Sequence, residues 1–163
     1  MDPRIAPLTE ILRLNTRLFR NCLEGLTDEM AALRPSPSTN HVAFVAAHVT
    51  EARFYLLKLF GAECASPLAA CLENARGIED VKRFPPLSEM QRAWTMASHA
   101  LRDRLADMTA AELDAPIASP FPLPIPDPTG LSLLAFFVQH DSYHIGQLAL
   151  LRKHAGLPAM QYA

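Results

Sequence analysis

Two histidines four residues apart, His140 and His144, stand in the segment HDSYHIGQLALLRKHAGLP. On a helix, residues i and i+4 lie one above the other on the same face. Two imidazoles arranged in this way can both bind one divalent metal ion, with nitrogen–metal distances of about 2.0–2.1 Å. The same spacing also occurs where histidines are exposed or hydrogen-bonded to neighbours, so the pair alone leaves metal binding open.

A third histidine, His48, stands mid-way along the segment NHVAFVAAHVTEARFYLLKLFG. Its helical neighbours Val45 and Ala52 are apolar, so the pattern predicts that His48 points into the core; a hydrogen-bonded core histidine is the alternative. Three neutral imidazoles would leave part of an ion's coordination open to water or substrate, as in catalytic sites, whereas structural zinc sites use four protein ligands. Imidazole suits Zn, Ni, Fe and Cu, so the pattern does not select the metal.

Two further polar residues fall near the predicted site. Gln147, three residues after His144, could orient a ligand or bind substrate, or it could be an amide that packs between helices. Glu51, three residues after His48, could accept a proton or a hydrogen bond from a ligand, or it could be a solvated helix residue.

The other histidines and the cysteines are predicted to stay outside this cluster. His41 would lie about 10 Å from His48 along the helix axis, at the rim. His99 and His154 are expected on the surface. The three cysteines match neither a disulfide framework nor a zinc finger, and Cys22 falls on an apolar helix face, where it is expected to be a small core residue.

Four long segments with helical periodicity are predicted to position these side chains. The predicted helices run from Pro3 to about Gly25, from about Thr39 to Phe60, from Ser88 to beyond Leu105, and from Leu131 to His154. The inward stripe of the last helix is predicted to be Leu133, Phe136, Phe137, His140, His144, Leu148 and Leu151. Capping signals stand at the pairs Ser88/Gln91 and Thr109/Glu112, and at Asp127 or Thr129. Asn15, on the apolar face of the first helix, is predicted to be a core hydrogen-bonding residue.

No segment shows the alternation of a strand, and helices of this length suit a four-helix bundle with a long crossover connection and short extra helical turns. The fold class predicted is therefore all-α. Residues 116–130, PIASPFPLPIPDPTG, contain six prolines and cannot form a helix. Either a functional loop or a spacer that crosses the end of the bundle would explain this segment.

The composition narrows the classes of function. The 163 residues, half of them apolar, fit one globular domain over 1–163. With a formal charge of −2 and no cluster of Lys or Arg, nucleic acid is not expected as a partner. No apolar run is long enough to span a membrane, and the N-terminus lacks the apolar core of a signal peptide, so a cytoplasmic protein is expected.

Taken together, these patterns resemble the DinB-like superfamily of small bacterial four-helix-bundle metalloproteins. The resemblance rests on His48 in HVAFVAAHVTEARF and on the HxxxHxGQ pattern formed by His140, His144, Gly146 and Gln147. The phrase LTDEMAALRPSP after the first helix and the terminal AGLP are also similar. The resemblance covers essentially the whole chain.

What the resemblance implies is a divalent metal, commonly Zn or Ni, held by His48, His140 and His144, in a protein that is often a homodimer. The better-understood relatives are thiol-dependent transferases and a thiol-dependent isomerase; others look like metal-dependent hydrolases. The leading hypothesis is therefore a metal-dependent S-transferase that joins a low-molecular-weight thiol to a small-molecule substrate, or a related hydrolase. The alternatives are a non-catalytic, stress-related bundle that binds a metal or small ligand, and a helical interaction protein with ordinary core histidines.

Overall fold

The computed structural model describes residues 2–75, 77–119 and 123–162. Its helices are α1 (Ala6–Leu23), α2 (Asp28–Ala31), α3 (Val42–Leu59), α4 (Ala69–Leu72), α5 (Leu87–Asp107), α6 (Ala110–Asp114) and α7 (Gly130–His154), with 3₁₀ turns at Pro3–Ile5 and Ile78–Asp80. In these ranges the only β pairing is one bridge between Pro116 and Thr129. The predicted all-α fold class is confirmed.

The four long helices form a bundle in which α1 and α3 lie at opposite corners, with α5 and α7 at the other two. Asn15 contacts Val138 and Cys22 contacts Ile145, so α1 and α7 run parallel. The buried Asn15 amide donates to the Val138 carbonyl, which confirms the predicted hydrogen-bonding role of this residue. Cys22 is fully buried, as predicted.

The long crossover of the bundle lies between α3 and α5. Arg53 hydrogen-bonds Ser98, and Arg104 hydrogen-bonds the Phe60 carbonyl, so α3 and α5 are parallel neighbours. Parallel neighbours need a connection that returns along the bundle. The connection between Leu59 and Leu87 supplies it, and its residues Ala69 and Leu72 lie on the same side of the bundle as His48.

The proline-rich segment, residues 116–130, is not the long crossover but connects another pair of helices. It joins α5 to α7, which run antiparallel, so it links two helix ends at the same end of the bundle. Residues 120–122 of this segment lie outside the described residues. Leu123 and Pro124, just beyond them, lie against the side of the bundle that carries the histidines.

The buried face of α7 is wider than the predicted stripe. The predicted residues Leu133, Phe137, Leu148 and Leu151 are buried, and buried residues outside the prediction include Leu134, Val138, Asp141 and Ile145. Phe136, His140 and His144 are only partly buried at its edge. The prediction did not include Asp141, which is buried because it forms an ion pair with the buried Arg53.

Two of the helix starts differ from the sequence prediction. α5 begins at Leu87 without a side-chain cap, so the predicted Ser88/Gln91 capping box is wrong. Its first N–H is satisfied from elsewhere, because the Leu87 N–H donates to the Asp28 carboxylate at 2.8 Å. α3 begins at Val42 because the Nδ1 atom of His41 accepts the Phe44 N–H at 3.0 Å.

The two other capping signals are present. Thr109 and Glu112 form the predicted capping box of α6. At the start of α7, Thr129 rather than Asp127 is the cap, with Ser132 completing the box. Within the described ranges, no helix combines the length and the apolar character needed to span a bilayer.

Gly130→Ala is expected to lower the free energy of unfolding by about 1–3 kcal/mol, because a Cβ at this position would lie 2.6 Å from the Glu112 carbonyl oxygen. Gly146→Ala is the matched control on the same helix, since nothing lies within 4 Å of its Cβ position. Alanine there should stabilise the helix by up to about 1 kcal/mol. Urea unfolding of both variants checks the prediction, and equal effects would contradict the tight contact between α6 and α7.

Candidate metal centre

The structure brings the three predicted histidines together. His48 projects from α3, and His140 and His144 project from α7, which runs antiparallel to it. The Nε2 atom of His140 lies 3.2 Å from Nε2 of His48 and 3.1 Å from Nε2 of His144. One ligand nitrogen from each residue falls within 4.8 Å of the others, so the group could hold a metal ion.

These distances fit the requirement of a shared ion. Three nitrogens that are each about 2.0–2.1 Å from one metal are about 3 Å apart. Hydrogen bonds among the rings are a poorer account, because His140 would have to serve both neighbours through one nitrogen. Its other ring nitrogen, Nδ1, is buried without a hydrogen-bond partner among the described residues.

Gln147 fixes the orientation of one histidine. The Nδ1–H of His144 donates to Oε1 of Gln147 at 2.8 Å, which leaves the lone pair of Nε2 directed at the other two rings. The Gln147 amide nitrogen in turn donates to the Tyr143 hydroxyl at 3.1 Å. Tyr143 was not among the predicted site residues, although its position four residues before Gln147 places both side chains on one helix face.

The environment keeps the three imidazoles neutral. Burial, together with the nearby His144, lowers the pKa of His48 to about 4, and burial together with His144 and His48 lowers the pKa of His140 to about 3. Burial also lowers the pKa of His144, against the opposing effect of the Gln147 hydrogen bond. Since only neutral imidazole binds a metal, all three nitrogens are available at neutral pH.

An open cleft of about 430 Å³ lies directly beside His48 and His140. Its walls come from α3, α7, the crossover and the proline-rich segment. The lining residues besides the two histidines are Glu51, Ala52, Tyr55, Ala69, Leu72, Leu123, Pro124, Phe136 and Phe137. The predicted inward residues Ala52 and Tyr55 therefore form the wall of a cleft rather than the centre of the core.

Glu51 lies in this cleft, held by the crossover. It is half-buried, and the Ser66 hydroxyl donates to its carboxylate. Burial raises the pKa of Glu51, while the hydrogen bond from Ser66 opposes the rise. Ser66 could not be predicted as a partner of Glu51, because residues 62–86 lack a clear periodicity.

The other histidines lie elsewhere. His41 is buried at the cap of α3, with its ring edge-on to Phe84, rather than at the rim of the site. His99 and His154 are exposed, as predicted.

A buried ion pair that was not predicted from the sequence lies next to His140. Arg53 donates to the Asp141 carboxylate at 2.8 Å, and both side chains are almost completely buried. The guanidinium also donates to the Thr16 and Ser98 hydroxyls, and it stacks 3.5 Å above the Trp94 ring. Burial raises the pKa of Asp141, and the Arg53 charge opposes that rise. The pair thus joins all four long helices next to His140.

The family model for the DinB superfamily matches residues 11–148, a span that contains all three histidines. The chain belongs to the DinB superfamily. The resemblance that the histidine patterns indicated is thereby confirmed. No curated protein matches this DinB chain.

Two solved structures are similar to this DinB protein in fold. One is a DinB-like protein from Bacillus cereus ATCC 10987, with 18% identity, a TM-score of 0.74 and 95% of each chain covered. The other is a conserved protein from Enterococcus faecalis, with 16% identity, a TM-score of 0.71, and 94% of this chain and 96% of that chain covered. At these identities the likeness establishes the bundle architecture.

Gln147→Ala is expected to weaken metal affinity about 10- to 100-fold, because His144 would lose the acceptor that fixes its ring. Gln139→Ala, an exposed glutamine on the same helix, is the matched control and should have no effect. Competition with a chromophoric chelator measures both affinities. An unchanged affinity in Gln147→Ala would show that the hydrogen bond does not support the site.

Metal binding is expected to persist at about pH 5 and to be lost only below about pH 3. Protons compete with the metal only when the pH approaches the lowered pKa values of the histidines, whereas ordinary histidines would already be half-protonated near pH 6.5. Equilibrium dialysis across this range tests the prediction. Loss of half of the metal already near pH 6.5 would contradict the lowered pKa values of these histidines.

Proposed function

We propose that this protein is a metal-dependent enzyme in which His48, His140 and His144 hold one divalent ion, Zn or Ni. The reaction proposed is transfer of a low-molecular-weight thiol to a small electrophilic substrate, with hydrolysis in the same cleft as a close variant. The observation that carries the proposal is the meeting of three neutral imidazole nitrogens at the wall of an open cleft. A site with three protein ligands and an open side is the pattern of catalytic rather than structural metal centres.

When bound, such an ion would act as a Lewis acid that lowers the pKa of a thiol or a water, or polarises a carbonyl. The protein supplies the rest. His48, His140 and His144 would hold the ion, and the cleft beside His48 and His140 would give a substrate access to it. Phe136, Phe137 and Tyr55 offer apolar walls that can hold a substrate and exclude water.

Glu51 is proposed as the proton acceptor of the site. Its carboxylate lies in the cleft, and the Ser66 hydroxyl holds it in place. A carboxylate so placed can take the proton of an attacking thiol or water. Cys22 has no such position, since it is buried in the core and burial raises the pKa of its thiol to about 11.

The homodimer implied by the family resemblance is part of this proposal, and light scattering of the purified protein tests it. Nothing in the described structure depends on the dimer, because both metal-bearing helices come from one chain.

The test of the function is a screen of small thiols against electrophiles with zinc-loaded and nickel-loaded protein, together with ester and amide substrates without thiol. The expected result is turnover that a chelator abolishes, that added metal restores, and that His48→Ala lacks. Bound metal without turnover on any substrate would favour a non-catalytic metal-binding bundle. Failure to bind metal at all would favour ordinary core histidines.

A further inference from the structure

The cleft beside the histidines has walls suited to a flat apolar group. Phe136 and Phe137 pack edge to face, with ring centroids 5.2 Å apart. Tyr55 lies 6.2 Å from Phe137, on the facing helix. Ala52 also lines the cleft and contributes only a methyl group, so the wall is recessed at this residue. Aromatic walls of this kind favour a ring that can stack or meet them edge-on.

The described side chains that line the cleft carry charge of one sign only, which is negative. Glu51 carries the only charged side chain among the described residues that line the cleft, and no Lys or Arg joins them. Burial raises the pKa of Glu51, and the hydrogen bond from the Ser66 hydroxyl opposes this rise and supports the charged form. Apart from the proposed metal ion, which the sulfur of the same molecule would bind, no cation of the described lining could pair with an anionic group beside the Glu51 carboxylate.

We infer that the cleft selects substrates whose body is an aromatic-sized apolar group with a neutral or cationic substituent, and that Glu51 excludes anionic ones. The inference rests on the proposed metal site, and it adds the class of substrate. The metal would attract the reacting sulfur or oxygen atom, whereas the selection concerns the part of the molecule that fills the cleft. Placing a like charge against the wrong ligand is a general route to such selectivity.

Three aryl thiols of similar size provide the probes: 4-(aminomethyl)benzenethiol, 4-methylbenzenethiol and 4-mercaptobenzoate. Each offers the same sulfur to the metal, and they differ in the charge carried into the cleft. Isothermal titration calorimetry with zinc-loaded wild-type protein should show the anionic probe binding at least about tenfold more weakly than the cationic one. The neutral probe should lie between them.

Glu51→Gln should reduce the difference between the cationic and anionic probes to less than about threefold. Glu63→Gln is the control, because it removes the same charge from an exposed position of the crossover. Ala52→Phe, which would fill the recess, should weaken all three probes while leaving the zinc bound. Loss of zinc from Ala52→Phe would show that a side chain at position 52 reaches the metal site. That result would contradict a cleft that lies beside the metal site.

The zinc content of every sample separates the two proposals. Bound zinc with equal affinity for the three probes, or with a preference unchanged in Glu51→Gln, would overturn the selectivity and leave the metal site standing. Equal binding of the probes by Ala52→Phe and wild type would show that they do not occupy this cleft. Absence of zinc from the wild type would overturn the metal site and the selectivity with it.

Discussion

One equivalent of divalent metal in the wild-type protein and none in His48→Ala is the result we expect from elemental analysis of protein purified without an affinity tag. His48 is the only ligand that α3 supplies to the cluster, so its removal leaves two imidazoles on one helix. Loss of a residue that merely orients a ligand costs about 10- to 100-fold in affinity, and loss of a ligand should cost more.

The fold should survive this change. His48 is partly buried at the edge of the core, and its only hydrogen-bonding contact is with another ring of the cluster. Circular dichroism should therefore show the same helical content in variant and wild type. His99→Ala, which removes an exposed histidine from α5, is the control and should keep its metal. Equal metal content in His48→Ala and wild type would show that the three residues do not form the site.

Asp141→Asn is expected to lower the free energy of unfolding by about 3–5 kcal/mol. The change leaves the Arg53 guanidinium buried without its counter-charge, which is the costly way to break a buried ion pair. Asp103→Asn is the matched control, because the Arg102–Asp103 pair is exposed. Exposed pairs contribute about 0–1 kcal/mol. Guanidinium unfolding of metal-free protein measures both variants.

A double variant separates the charge from the packing. Arg53→Met combined with Asp141→Leu removes both charges and replaces them with apolar side chains, and such replacements are often close to neutral. We expect the double variant to be more stable than Asp141→Asn. A double variant that is less stable than the single one would show that the hydrogen bonds to Thr16 and Ser98 matter more than the ion pair.

The histidine cluster could be predicted because the patterns that indicate it lie within single helices. The i, i+4 spacing places His140 and His144 on one helix face whatever the fold, and the apolar neighbours of His48 direct it toward the interior. The resemblance to the DinB-like superfamily then indicated that the segment with His48 and the segment with His140 and His144 contribute to one site. The same reasoning placed Gln147 beside His144, and their hydrogen bond lies within a single helical turn.

The ion pair and the crossover could not be predicted in the same way. Arg53 and Asp141 continue buried helical stripes, through Ala46, Thr50 and Leu57 in one case and Val138 and Ile145 in the other. A charged residue can occupy such a stripe only if another helix supplies its partner, and the pattern of one helix contains no sign of that partner. The wall of the cleft that comes from the crossover has no periodic signal, since its residues Ala69 and Leu72 belong to α4, which is a single helical turn and too short to show a periodicity.

The wide separation of the proposed ligands along the chain would link metal binding to folding. His48 and His140 are 92 positions apart in the sequence, yet their ring nitrogens are 3.2 Å apart. An unfolded chain would have to close a long loop to present both, so an ion held by these residues would bind the native state in preference. By mass action, free metal at about a thousand times its dissociation constant would stabilise the protein by about 4 kcal/mol. The cluster would then act as a removable cross-link between α3 and α7, and chelation would lower the melting temperature without breaking any covalent bond.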